Sequence, residues 1–414
     1  MSTTTKKTLV PEYMLSFQCI GTECEDTCCA GWKVTVDQDT YKKYKRLKDE
    51  ELSPIIDRNI KRVRSKASTG NYAKIMMDSS NSCVFLNEQK LCSIQLKKGE
   101  DYLCNTCKTY PRTWNNVNDV VERAATISCP EIARLALLNP EGIGFQEQLE
   151  SVEVGLNFAG HIDTSKHIKG KKLQKYFWEL RIFTIQVLQY RQYKFEDRLL
   201  FLGLFFQKVQ EYVNNSEVDQ VLQLIGSYTN MLQSGTIDQM FADVPVNHTI
   251  QMKLLKKLTD QRFIEGGVHG RYIECYTECL LGLEHFEGME EEGTLSRYID
   301  AYENHYQPFM QNHEYILENY LVNHVFSKLF PTALDKDIFE EYVMLVIRYA
   351  LIKLQLIGMA RHHKTAFSTD HVVKLIQSFG RAVEHNQSYL TKMKGLLEEN
   401  GFTTMGYMSI LIKN

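Results

Sequence analysis

Nine of the eleven cysteines in this 414-residue chain fall before residue 130: Cys19, Cys24, Cys28, Cys29, Cys83, Cys92, Cys104, Cys107 and Cys129. Everything after them supplies only Cys275 and Cys279. Met1 to Phe17 contains two lysines without an apolar run of about 7 to 15 residues behind them, so it does not read as a secretory leader. The chain is therefore expected in the cytoplasm, where thiols stay reduced, and such a cluster points to a metal or redox site before a disulfide framework. All twelve histidines lie at His161 or later, so no local imidazole completes a mixed Cys/His finger. The site should be all-thiolate, either zinc held by four cysteines or an iron–sulfur cluster.

The spacing reads Cys19-x4-Cys24-x3-Cys28-Cys29, then Cys83-x8-Cys92, Cys104-x2-Cys107 and Cys129. Paired C-x2-C knuckles would favour zinc, but only Cys104 to Cys107 has that spacing. The adjacent Cys28 and Cys29 diverge and are easier to place on two irons, or at two sites, than on one small ion, so the spacing leans toward a cluster. A thioredoxin-like role for Cys104 and Cys107 would need a strand–helix–strand context that LKKGEDYLCNTCKTYPRTW does not supply. Cys275 and Cys279 stand at i and i+4 of a helical pattern and read as core packing.

Length suggests two or three domains at about 100 to 200 residues each. Hydrophobic residues make up 43% and charged residues 24%, which excludes a disordered or collagen-like chain. With a net charge of -3, no global field draws the protein to nucleic acid or anionic lipid. Five of the eight prolines lie in the first 140 residues, leaving the rest free for long helices. Apolar residues at three- and four-residue spacing predict helices over Lys172–Tyr193, Asp197–Val213, Tyr315–Phe330, Ile338–Ala360 and His371–Leu397. The expectation is a mainly α chain: a cysteine-rich metal-binding domain with little regular strand over 1–150, then a helical, bundle-like region over 151–414, possibly in two subdomains.

Three segments invite other readings. Tyr342 to Ala360 is 19 mostly apolar residues, but Arg348 and Lys353 near its middle would each cost about 2.5 to 3.5 kcal/mol at a bilayer centre. It reads as a buried core helix with its basic residues reaching out at a flank. Lys42 to Lys66 carries ten Lys or Arg against four acids, yet lacks interleaved aromatics and glycines, and reads as a solvated helix face. Glu287 to Gly293 reads as an exposed acidic loop.

The runs Phe17–Trp32 (FQCIGTECEDTCCAGW), Leu91–Gln95 (LCSIQ), Thr106–Arg112 (TCKTYPR) and Ser128–Arg134 (SCPEIAR) together resemble the flagellin lysine N-methylase family. Glu318–Asn323 (ENYLVN) and the helical run around Tyr349–Gly358 are similar to it too, so the resemblance extends over most of the chain. The pattern from Cys24 through Cys92 to Cys107-Lys-Thr-Tyr-Pro is also similar to a wider group of small zinc- or iron-chelating proteins. The resemblance implies a bacterial cytoplasmic enzyme that methylates lysine ε-amines of flagellin, with S-adenosylmethionine as donor and a 4Fe-4S cluster. Carried over position by position, the metal ligands are Cys19, Cys24, Cys28, Cys29, Cys92, Cys107 and Cys129, with Cys83 added; Cys104 counts as incidental. These exceed the four ligands of one cluster, so some are structural or serve a second site.

No doubly wound donor-binding signature accompanies them. Gly142-Ile-Gly144 lacks the third glycine and reads as a loop. The C-x3-C-x2-C triad of a radical route also fails, because position 31, after Cys24 and Cys28, is glycine. The donor then has to bind elsewhere, and an iron not held by cysteine could take its amino and carboxylate groups. The competing class is a non-enzymatic adaptor whose cysteines hold zinc. The catalytic base stays unassigned among 22 tyrosines and the carboxylates.

Overall fold

The computed structural model describes residues 3–65, 67–153, 158–165, 172–284, 291–331 and 338–414. The chain is mainly α, and its residues group into two compact units. One comprises Phe17–Thr113 with Cys129–Glu131, the other Met1–Ser16, Trp114–Ser128 and Ile132–Asn414. The grouping differs from the division at residue 150: the first sixteen residues and most of 114–150 belong with the helices. Pairing across long sequence separations, which no local pattern reveals, is the reason.

The described strands are β1 (Thr3–Pro11), β2 (Thr35–Val36), β3 (Ile60–Arg62), β4 (Ala73–Ile75), β5 (Arg112–Val117), β6 (Val120–Ala125), β7 (Phe145–Glu153) and β8 (Gly160–Ile162). Five form a sheet in the order β7-β1-β6-β5-β8. β1 runs antiparallel to β7, with Thr8 opposite Gln148, and parallel to β6, with Thr8 opposite Val121. Strand content is thus larger than expected. β7 (FQEQLESVE) is rich in Glu and Gln, poor strand formers, and takes its conformation from β1 rather than from propensity.

Helices of this unit follow the apolar periodicity with shifted ends: Phe177–Leu188, Phe195–Asn214, Tyr315–Ser327 and Ile338–His363. His371–Leu397 is not one helix but two, Thr369–Phe379 and Gln387–Glu399, separated by a π turn over Gly380–Glu384. Of the acidic segment, 287–290 lies outside the described residues, and Glu291–Gly293 open a helix that runs to Ala301.

Ile338–Ala366 is the one described stretch long and apolar enough to cross a membrane, and 89% of its apolar window is buried within the protein. It is the central helix of its unit. Lys353 does not reach out at a flank as expected: its side chain is 2% exposed and pairs with Glu196. Gly282 on helix Gly270–Leu283 and Gly358 meet at the crossing of these two helices, where a Cβ on Gly282 would stand 1.9 Å from the Gly358 carbonyl oxygen. Cys275 and Cys279 are buried in the same packing. Between sheet and helices, Arg181 donates to Glu122 of β6 through two hydrogen bonds, with both side chains buried.

The cysteine-rich unit is built from short elements. β2, β4 and β3 make a three-stranded sheet, joined by helices Gln38–Arg46, Leu52–Asn59, Ser93–Lys98 and Asn105–Thr109. Its core holds Val34, Val36, Tyr44, Leu52, Ile56, Phe85 and Ile94, together with Cys83 and Cys104. The basic stretch behaves as a solvated face: Lys42 is exposed beside Asp39, Lys45 pairs with Asp57 at 2.5 Å, and Tyr44 alone of the helix turns inward.

Candidate metal centre

Backbone hydrogen bonds fix four cysteine-bearing loops against this small core. Cys24 closes the turn Gly21–Glu23, and its thiol donates to the Asp26 carbonyl at 3.4 Å. The Cys83 N–H donates to the Cys29 carbonyl at 2.7 Å, clamping the first cysteine run to the second. Cys92 and Cys104 are the N-caps of Ser93–Lys98 and Asn105–Thr109, and Lys108 N–H donates to the Cys104 carbonyl at 2.9 Å. Asp37, which caps Gln38–Arg46 through Thr40 N–H at 2.9 Å, also accepts from Asn105 N–H at 3.0 Å. Thr106 donates to the Thr35 carbonyl at 2.9 Å. The Cys104–Cys107 turn is therefore pinned to β2 from two sides.

These anchors bring thiols together. Cys104 and Cys107 hydrogen-bond through their side chains, and this contact lowers Cys104 below the ordinary thiol value while driving Cys107 well above it. Cys107 also feels Cys29 and Cys83. Burial pushes Cys83 up to about 11, with Cys92, Cys104 and Cys28 adding to the shift. Burial raises Cys92 too, and Cys104 and Cys28 act on it. The Tyr44 phenol is raised first by burial and then by Cys104, Cys107 and Cys92. None of the eleven cysteines is joined in a disulfide.

Of the eight expected ligands, the structure gathers Cys28, Cys29, Cys83, Cys92 and Cys107 into one electrostatic neighbourhood. Cys24 joins at its edge through Cys28. Cys19 is exposed, and Cys129 falls in the same compact unit. Cys104, set aside on the resemblance, sits inside the group, 1% exposed. Its C-x2-C spacing was the signal that could have kept it. Tyr44, Asp37 and Thr106 carry no such signal, since their roles arise only when β2 and the Cys104 turn meet.

Among the described residues, no three Cys, His, Asp or Glu side chains stand close enough to hold a single metal ion. The donor chemistry nevertheless suits a thiophilic group. Burial raises Cys83 and Cys92 more than backbone N–H groups lower them, and a bound cation reverses that logic by deprotonating its ligands.

Residues 181–411, more than half of the chain, match the FliB lysine N-methylase C-terminal domain. The chain belongs to the FliB lysine N-methylase family. Its similarity runs further than that domain: it is 23% identical over 381 residues, 91% of both chains, to the lysine-N-methylase of Salmonella typhimurium and equally to that of Salmonella choleraesuis. Over 139 residues, a third of this chain, it is 32% identical to the flagellar biosynthetic protein FliU of Salmonella muenchen, covering 81% of that protein. No solved structure matches. Membership of the lysine N-methylases makes the chain a methyltransferase by family.

Proposed function

We propose that the protein transfers a methyl group from S-adenosylmethionine to lysine ε-amines of flagellin in the cytoplasm, with an iron–sulfur cluster held in residues 17–113. The observation that carries the reading is the family match over 181–411, extended at low identity across nine-tenths of the chain. The flagellar name of the FliU relative supports a flagellar substrate.

The cluster's ligands would be drawn from Cys28, Cys29, Cys83, Cys92, Cys104 and Cys107, which exceed the four that one cluster takes. Zinc needs four sulfurs about 2.3 Å from one ion, whereas a cluster spreads its ligands over several irons, and the diverging neighbours Cys28 and Cys29 favour the second. When bound, the cluster supplies iron centres able to take oxygen and nitrogen ligands or pass electrons. Everything else falls to the chain. A free lysine has a pKa near 10.4 and is almost wholly protonated at neutral pH, so the protein has to desolvate the amine or accept its proton before it can attack a methyl sulfonium. Polar displacement then needs no radical, since the neutral amine is already a nucleophile.

The test is anaerobically purified protein incubated with flagellin and labelled S-adenosylmethionine, scored for methyl-lysine alongside metal analysis. Iron, sulfide and methyl-lysine are the expected results. Zinc alone without methyl transfer would overturn the reading in favour of a docking protein.

A further inference from the structure

One surface of the cysteine-rich unit carries charge that its own fold does not balance. An open hollow of about 630 Å³ is walled by Lys42, Lys43, Arg46 and Lys48, from the end of helix Gln38–Arg46 and the loop after it, and by Lys98 and Tyr102 from a segment far along the chain. Asp39 is the one carboxylate in its lining. Lys42, Lys43, Arg46 and Lys48 are all exposed, so a solute can reach them. The hollow is not a property of the basic stretch alone: Lys45, on the same helix, is not part of the lining and pairs with Asp57.

The charges round it can be counted. Lys42 faces Asp39 at 3.8 Å and Lys98 pairs with Asp49 at 2.8 Å, which offsets both. Lys43 donates to the Asp101 carbonyl at 2.7 Å and lies 4.6 Å from the Tyr102 ring, contacts that leave its full charge in place. Arg46 and Lys48 make no ion pair among the described residues. Lys43, Arg46 and Lys48 thus share one hollow without a carboxylate partner, in a chain whose net charge is -3. Helix C-termini attract basic residues, yet each supplies only about half an elementary negative charge. The ends of Gln38–Arg46 and Ser93–Lys98 together offset about one of these three cations and leave about two.

Such a surplus suits a ligand that brings several negative charges into a small space. Arg46 can grip two phosphate oxygens at once, while the lysines act as point charges. Side chains of an extended peptide alternate between faces, so neighbouring carboxylates point apart, whereas linked phosphates keep their charges on one short chain. A lysine side chain and a methyl sulfonium are cationic, so neither partner of methyl transfer belongs here. We propose that this hollow is a binding site for a compact polyphosphate, such as the phosphate chain of a nucleotide. The proposal does not rest on the methyltransferase reading.

Intact protein is titrated by calorimetry at low ionic strength with inorganic tripolyphosphate, orthophosphate and adenosine triphosphate. Tripolyphosphate should bind at least about tenfold more tightly than orthophosphate, and added salt should weaken it. Equal affinity for tripolyphosphate and adenosine triphosphate supports a site that reads phosphates alone; tighter binding of the nucleotide supports one that reads the nucleoside as well. Arg46→Gln combined with Lys48→Gln should weaken tripolyphosphate about tenfold, the loss expected for charge-assisted hydrogen bonds at an exposed site. Lys61→Gln combined with Arg64→Gln removes the same charge from exposed positions of the same unit that do not line the hollow, and should leave binding unchanged. Unfolding midpoints show that both variants are folded. The proposal is overturned if the wild type does not bind tripolyphosphate, if the Arg46 and Lys48 variant binds it as the wild type does, or if both variants lose affinity equally, which would leave only a diffuse field. Tighter binding of a single-stranded RNA than of tripolyphosphate would overturn it too, in favour of a nucleic-acid surface.

Discussion

Burial, with neighbouring thiols adding to it, makes the Cys83 thiol hold its proton. At about 11 against an ordinary 9.0, it carries roughly a hundredfold less thiolate at pH 8 than a free cysteine. In metal-free protein, iodoacetamide should therefore label the exposed Cys19 and Cys28 well before Cys83, whose rate should climb as pH approaches 11; peptide mass spectrometry reads both. A second buried titration acts on stability. Burial holds His324 down to about 4, beside Glu384, Arg348 and Lys328. The unfolded chain takes up that proton near 6.5, so the stability this histidine contributes is present above 6.5 and is lost as pH falls from 6.5 toward 4. Urea unfolding across that range should steepen with acidity in the wild type, and His324→Gln should flatten the slope. That the early cysteines gather was legible in the sequence from their number and spacing. Asp37 and Thr106 were not, since their bonds between β2 and the Cys104 turn exist only once the two segments meet.

Helix periodicity marked the long helices after residue 172 but not their ends or their contacts. Cys275 and Cys279 read correctly as one buried face, yet nothing local says that Gly282 and Gly358 let two backbones touch. Gly282→Ala should cost about 1 to 3 kcal/mol or more, because the new methyl meets a backbone oxygen that cannot swing aside. Gly226→Ala, on the helix Val221–Gln233 with open space around it, should instead stabilise by about 0.5 to 1 kcal/mol, and paired urea midpoints check the contrast. The sheet was the larger surprise. TTTKKTLVP and FQEQLESVE carry little of the alternation that marks a half-buried strand, and only their mutual pairing makes them one.

At the scale of the molecule the two units differ in what holds them. The helical unit has an extensive apolar core around Ile338–His363, whereas residues 17–113 share a small one with short helices and a three-stranded sheet. Domains with so little core commonly lean on a metal. Chelation should accordingly expose 17–113 to proteolysis and hydrogen exchange first, while the helices keep their protection; loss of both together, or of neither, would count against a structural metal. Cysteine and proline placement drew a division at residue 150. The contact grouping instead puts β1 and most of 114–150 with the helices, because β1 is claimed by partners far along the chain.

That claim has a consequence for synthesis. Thr8 lies opposite Val121 and Gln148, so the first strand leaves the ribosome more than a hundred residues ahead of both neighbours. Every thiol up to Cys107 emerges in that interval. A metal held by those thiols, as proposed above, would thus meet them on the nascent chain, before the sheet has anything to close upon.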